Sequence, residues 1–162
     1  MAIQVGQKLP LHIKLKEMTD QGPRDVTLEE IFKGKKVVLF AVPGAFTPTC
    51  SAKHLPGFVE RAEEIKKKGV DEIVCISVND AFVMGAWANA SGAKGKVRLL
   101  ADGNAEFTKA VGLELDASAF GMGLRSQRYA MIVEDGVVRE LLVEPGPGLS
   151  VSSADSVLSK LG

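Results

Sequence analysis

Two runs of this chain, KVVLFAV over Lys36–Val42 and EIVCISVN over residues 72–79, carry apolar side chains at nearly every position rather than at every second one. A strand of that kind is covered on both faces. Between the runs, Leu55, Phe58, Val59, Ala62 and Ile65 recur at helical spacing opposite Glu60, Glu63, Lys66 and Lys67, and Gly69 closes the segment. A strand, a helix and a second strand joined in this way make a right-handed crossover, so the two strands lie parallel and adjacent. The class is therefore α/β with a covered central sheet.

The flanking sequence fills in the rest. Leu11, Ile13 and Leu15 alternate with polar residues and predict a half-buried strand, followed by a turn at Gln21-Gly22-Pro23. Thr27 and Glu30 have the spacing of a capping box for a short helix that stops at Gly34. Pro56 inside the crossover helix predicts a kink or a break. Asp80 is placed to cap a helix carrying Phe82, Val83, Ala86, Trp87 and Ala90. A short strand over 97–101 and a short helix over 105–111 follow, and residues 113–126 read as loop. Glu134-Asp135-Gly136 between two apolar runs predicts a hairpin, and Ser152 or Ser153 caps a final helix with Val157, Leu158 and Leu161 inward. With 162 residues, and no repeat or linker, one domain over 1–162 with a mixed sheet is expected.

Composition removes several function classes. Lys+Arg and Asp+Glu each number 20, so the basic excess of a nucleic-acid binder is missing. The longest nearly apolar stretch, 37–46, is interrupted by Pro43 and Gly44 and is too short for a membrane span. The N-terminal residues show no targeting pattern, so a cytoplasmic location is expected. Two cysteines, Cys50 and Cys75, are too few for a disulfide framework. They offer no metal-ligand spacing with His54 either, and no cofactor or metal is expected.

Cys50 follows the carboxyl end of the first apolar strand, at the first turn of the next helix. Ligands of open α/β sheets bind at that edge, and the unpaired N–H groups of a first turn favour thiolate. Its neighbours are more telling. Residues 43–50 (PGAFTPTC) carry a P-x-x-x-T-x-x-C pattern, with Arg128 downstream in the segment RSQRY. On these residues, and on 43–57 (PGAFTPTCSAKHLPG), 78–83 (VNDAFV), Trp87 and Ala101-Asp102, the chain resembles the type II, atypical two-cysteine, plant-type peroxiredoxins over essentially its whole length.

The resemblance implies a thioredoxin-like fold and a peroxidase that reduces hydrogen peroxide and alkyl hydroperoxides through a sulfenic acid on Cys50. Such chemistry needs a thiolate, an aligned O–O bond and donors for the leaving oxygen. Thr47 would bridge thiolate and peroxide, Arg128 would favour the thiolate and donate to the peroxide, and Pro43 would shield the sulfur. Gly44 and Phe46 would belong to the substrate pocket. The reductant would be thioredoxin, or glutaredoxin with glutathione.

A non-covalent homodimer through the active-site end is also implied, with Phe46, Phe82 and Trp87 as candidate contacts. Cys75 holds a strand position where the family often has a cysteine, which suggests that it resolves the sulfenic acid. Counted to Asn79, it lies about 13 Å below the strand's edge, so a disulfide would require the first turn after Cys50 to unwind. Alternatively Cys75 only packs, and a small thiol resolves Cys50. His54 invites a Cys–His hydrolase reading but lacks an orienting Asn or Asp; packing, capping or hydrogen bonding near the site remain for it. A redox sensor and a binding module without turnover are the other function classes open to such a chain.

Overall fold

The computed structural model describes residues 1–161; Gly162, the last residue of the domain expected over 1–162, lies outside the described residues. The crossover forms its centre. β3 (Lys36–Val42) and β4 (Glu72–Ser77) pair in parallel, from Val37 opposite Glu72 to Val42 opposite Ser77. All residues of β3 after Lys36 and of β4 after Glu72 are buried, as the unbroken apolar runs require. β5 (Arg98–Ala101) joins β4 in parallel.

Antiparallel pairs flank this parallel middle. β1 (Lys14–Thr19) with β2 (Gly22–Thr27) stands on one side, and β8 (Tyr129–Glu134) with β9 (Val137–Val143) on the other. The sheet order is β2-β1-β5-β4-β3-β8-β9.

Side chains alternate across the sheet into two core layers. Val38, Phe40, Val42 and Cys75 face α2 (Leu55–Glu60), α3 (Ala62–Lys67), α4 (Ala81–Ser91) and α6 (Ala154–Leu161), meeting Phe58, Ile65, Trp87 and Val157. Val37, Leu39, Val74 and Ile76 face α1 (Leu28–Phe32) and α5 (Glu106–Ala110), meeting Ile31, Phe32 and Phe107. The Thr27–Glu30 capping box forms in both directions, and Asp80 caps α4 by accepting from the Val83 N–H. Ser153 supplies the cap of α6, its hydroxyl accepting from the Ser156 N–H at 3.2 Å. The hairpin turn places Asp135 and Gly136 at φ of 48° and 79°, the left-handed pair that a two-residue turn demands.

Four expectations need correction. The first strand begins at Lys14 rather than Leu11, because the Leu11 and Ile13 carbonyls accept from Glu29 and Leu28 and so hold the start of α1. Gly22 and Pro23 do not end that turn but open β2, an edge strand on which a missing N–H is tolerated. Residues 113–126 are not all loop: β6 (Glu114–Asp116) pairs with β7 (Leu124–Ser126) around a 3₁₀ turn at Ser118–Phe120. Finally, β4 ends at Ser77, short of Asn79.

Pro56 does disturb the crossover helix, from its N-terminal side. Cys50–His54 form a π-helical turn in which the Leu55 N–H reaches the Cys50 carbonyl, and Pro56 then sits in the first turn of α2. A further break at Arg61, with φ −97° and ψ 6°, divides α2 from α3. Among the described residues no helix is long and apolar enough to cross a membrane.

Candidate active site

The loop after β3 is tied down at several points. The Thr47 hydroxyl donates to the Gly44 carbonyl at 2.6 Å, and the Thr47 carbonyl accepts from the Ser51 N–H at 2.9 Å. Helical geometry starts at Pro48, where a missing N–H costs nothing. The Ala45 N–H donates to Asn79 Oδ1 at 3.0 Å, and the same oxygen accepts from Ser77 Oγ at 2.6 Å, which pins the loop to the end of β4. Gly44 is closely approached: a Cβ there would stand 3.0 Å from Thr47 Cγ2 and 3.1 Å from Arg125 Nη1, so these side chains would have to give way.

Cys50 is fully buried, and Arg128 is brought to it from the start of β8. Arg128 Nη2 donates to Cys50 Sγ at 3.1 Å, while Nη1 donates to His54 Nδ1 at 2.9 Å. His54 Nε2 lies 2.9 Å from the Ser152 carbonyl oxygen, which only accepts, so His54 carries its proton on Nε2 and receives Arg128 on Nδ1. Burial holds the imidazole neutral, pulling it down to about 4; the Ser152 bond works against this shift and the Arg128 charge adds to it. Among the described residues, Arg128 Nε is a buried donor without a protein acceptor.

Pro43 and Arg128 border a cleft of about 480 Å³ whose apolar wall includes Leu115, Ala117, Phe120 and Met122. Gly44 and Phe46 do not line it. Gly44 packs against Thr47, Arg125 and Met122. Phe46 has a left-handed φ of 64°, is half exposed, and lies with its ring 6.4 Å from that of Trp87.

Cys75 is buried in the same core layer as Cys50, and both thiols are free. Burial pushes the Cys75 thiol up, the nearby Cys50 adds to this, and Arg128 opposes it. Because β4 ends at Ser77, Cys75 stands two residues from the strand's carboxyl end. That is about 7 Å along the strand rather than 13 Å.

Other groups at the site were not singled out by sequence reasoning. Arg125 donates from Nε to the Met122 carbonyl at 2.9 Å and approaches the Pro43 carbonyl with Nη1 at 3.5 Å; its only signal was its place in RSQRY. Asn79 had a signal in VND, as a polar residue just past a buried strand. Glu144 and the Ser152 carbonyl had none, since their partners lie far away in the chain.

The comparisons with known proteins agree with this geometry. A family model described as Redoxin matches residues 4–158. Peroxiredoxin-2E-2, chloroplastic, from Oryza sativa subsp. japonica is 52% identical over 98% of this chain and 72% of its own length. Peroxiredoxin-2B from Arabidopsis thaliana is 53% identical over 83% of each chain. The crystal structure of reduced Prx3 from Vibrio vulnificus in complex with H₂O₂ superposes with a TM-score of 0.94 at 54% identity, covering 99% of both chains. A thioredoxin-like sheet with a buried Cys–Arg pair at its carboxyl edge defines a thiol-dependent peroxidase of the Redoxin class. The chain belongs to the type II peroxiredoxins within it.

Proposed function

We propose that Cys50 is the peroxidatic nucleophile and that residues 1–162 work as one catalytic unit. The observation that carries this is the 3.1 Å hydrogen bond from Arg128 to a fully buried Cys50 sulfur. The reacting form is the thiolate, and the guanidinium against the sulfur supplies the positive charge that pairs with it. The thiolate attacks one peroxide oxygen; an S–O bond forms, the O–O bond breaks, and the departing oxygen leaves as hydroxide or alkoxide and takes a proton. Thr47 has committed its own proton to Gly44, so its oxygen is an acceptor for the peroxide hydroxyl. The buried Nε–H of Arg128 is a donor for the charge that develops on the leaving oxygen. Pro43 walls the sulfur from water, and the apolar cleft beside it suits the organic part of an alkyl hydroperoxide as well as hydrogen peroxide.

The resulting sulfenic acid is then attacked by a thiol, forming a disulfide and releasing water. In our reading Cys75 supplies that thiol once the π-helical turn unwinds. Thioredoxin, or glutaredoxin with glutathione, returns the two electrons. A non-covalent homodimer through the active-site end and a cytoplasmic location complete the reading. Phe46 and Phe82 are exposed and suited to that face, whereas Trp87 is buried within the chain and is withdrawn from it.

The test is peroxide consumption with thioredoxin and with glutaredoxin plus glutathione, in wild type, Cys50→Ser and Cys75→Ser. Loss of turnover with both reductants in Cys50→Ser supports the nucleophile; undiminished turnover there refutes it. An intramolecular disulfide by intact mass, absent from Cys75→Ser, supports resolution by Cys75, and a persistent sulfenic acid in wild type opposes it.

A further inference from the structure

The hydrogen bonds that leave the Arg128 guanidinium return to Arg128. Nη1 donates to His54 Nδ1 and His54 Nε2 donates to the Ser152 carbonyl. Ser152 is in turn held by Glu144: its N–H and its hydroxyl reach Oε2 at 2.8 and 2.6 Å. The N–H groups of Val151 and Ser150 reach the same oxygen at 2.9 and 3.0 Å, and the Ser150 hydroxyl takes Oε1 at 2.8 Å. The Glu144 backbone N–H then donates to the Arg128 carbonyl at 3.0 Å, closing the ring.

Three successive N–H groups around one carboxylate oxygen make an anion nest. Here the anion is the protein's own, and the nest is the loop that leads from β9 into α6. The segment from Glu144 to Ser153 (EPGPGLSVSS) is tied to α6 by the Ser153 cap and by the Ser156 hydroxyl on the Ser150 carbonyl. The N–H groups of residues 150–152 all rest on the Glu144 carboxylate, which so helps to set where the Ser152 carbonyl points. That carbonyl selects the histidine tautomer, and the tautomer decides whether Nδ1 can accept from Arg128. The opposite tautomer would set an N–H against the guanidinium and turn it away from the sulfur.

We propose that Glu144 is a positioning residue of the peroxidase. It orders the 150–152 segment, so that Ser152 holds His54 as the Nε2–H tautomer and His54 aims Arg128 at Cys50. The inference rests on the reading that the Arg128–Cys50 pair serves catalysis, and it extends that pair to a residue that touches neither sulfur nor peroxide.

Electrostatics and positioning predict opposite signs, which makes the idea testable. A carboxylate near Arg128 makes the site less positive. If Glu144 acted through charge alone, Glu144→Ala and Glu144→Gln would both increase the thiolate fraction and speed reduction of hydrogen peroxide. If it positions, Glu144→Ala lowers the thiolate ultraviolet absorbance at neutral pH and slows peroxide reduction by about tenfold, the scale of one charge-assisted hydrogen bond. Glu144→Gln, whose amide oxygen can occupy the nest while its NH₂ meets the Ser150 hydroxyl, should stay within about twofold of wild type.

Faster reduction in both variants, or no change in Glu144→Ala, overturns the proposal. Should Glu144→Ala fail to fold, nitrogen-15 NMR of the histidine ring decides in wild type and Glu144→Gln. Neutral His54 protonated on Nε2 in both is the expected result, and protonation on Nδ1 in either overturns it. Arg128→Ala separates the two levels. If it leaves thiolate absorbance and rate unchanged, the Arg128–Cys50 pairing itself is wrong; if it lowers both while Glu144→Ala does not, only the role of Glu144 is lost.

Discussion

Thr47 and His54 show how a side chain's committed proton decides what it can still do. The Thr47 hydroxyl hydrogen is spent on the Gly44 carbonyl, so only lone pairs face outward. Thr47→Ser keeps that arrangement and is expected to retain most peroxidase activity. Thr47→Val keeps the shape without the oxygen and should slow peroxide reduction by about tenfold to a hundredfold, the cost of one hydrogen bond near charge. Stopped-flow rates on the two variants check this. His54 has the opposite commitment. Its folded value of about 4 lies below the ordinary 6.5, so below pH 6.5 the unfolded chain takes up a proton that the folded chain refuses. Stability should therefore fall as pH drops from 6.5 toward 4, by at most about 3 kcal/mol. Burial alone would raise the Glu144 carboxyl, but the Ser152 and Ser150 hydrogen bonds outweigh it and hold the group at about 2. Its contribution is full above 4.5 and is lost only as pH falls on toward 2. Urea unfolding across this range in wild type and His54→Gln would separate the two, with the loss between pH 6.5 and 4 largely absent from the variant.

Among the elements, the π-helical turn at Cys50–His54 is the one that the proposed resolution by Cys75 must unwind. Trp87 of α4 is buried and donates from Nε1 to Ser51 Oγ at 3.0 Å, holding the first residue after Cys50. Trp87→Phe keeps most of the ring and removes the bond. It should cost about 1 kcal/mol of stability and speed hydrogen exchange at residues 51–55 more than elsewhere. Uniform acceleration would argue against a local tie. Much of this level was legible in the residues. The double-faced strands, the capping box at Thr27, the Asp80 cap and the Asp135-Gly136 turn each follow from a local rule that tertiary packing does not override. β2 was not legible, because Pro23 reads as a breaker and only Val26 among its residues is buried, which leaves no alternation to detect. The β6–β7 pair was missed because each strand has three residues, with only Ser126 fully buried among them. At the site, the P-x-x-x-T-x-x-C spacing and Arg128 were readable, but the support of Arg128 was not. Ser152 is 98 positions from His54, and no periodicity encodes that meeting.

For the whole molecule, the proposed dimer has a direct check. Phe82 is 68% exposed and Phe46 52%, so both are free to meet a second copy. Sedimentation of reduced protein at micromolar concentration should give a dimer and Phe82→Glu should shift it toward monomer; a wild-type monomer in both redox states removes the dimer. The sheet's two margins bear on a different hazard. β2 begins with Gly22-Pro23 and continues through the exposed Arg24 and Asp25, while β9 is covered along part of its length. There the Gly6 N–H reaches the Val138 carbonyl, the Val138 N–H reaches the Gln7 carbonyl, and Lys8 bridges Val137. In the cycle proposed above the π-helical turn loosens over the core and exposes apolar surface each time Cys75 resolves Cys50. Bare strand margins would then template intermolecular pairing. Proline and charge at one margin and the folded-back N-terminal segment at the other leave the loosened chain little to zip onto, so many cycles of oxidation can pass without seeding a fibre.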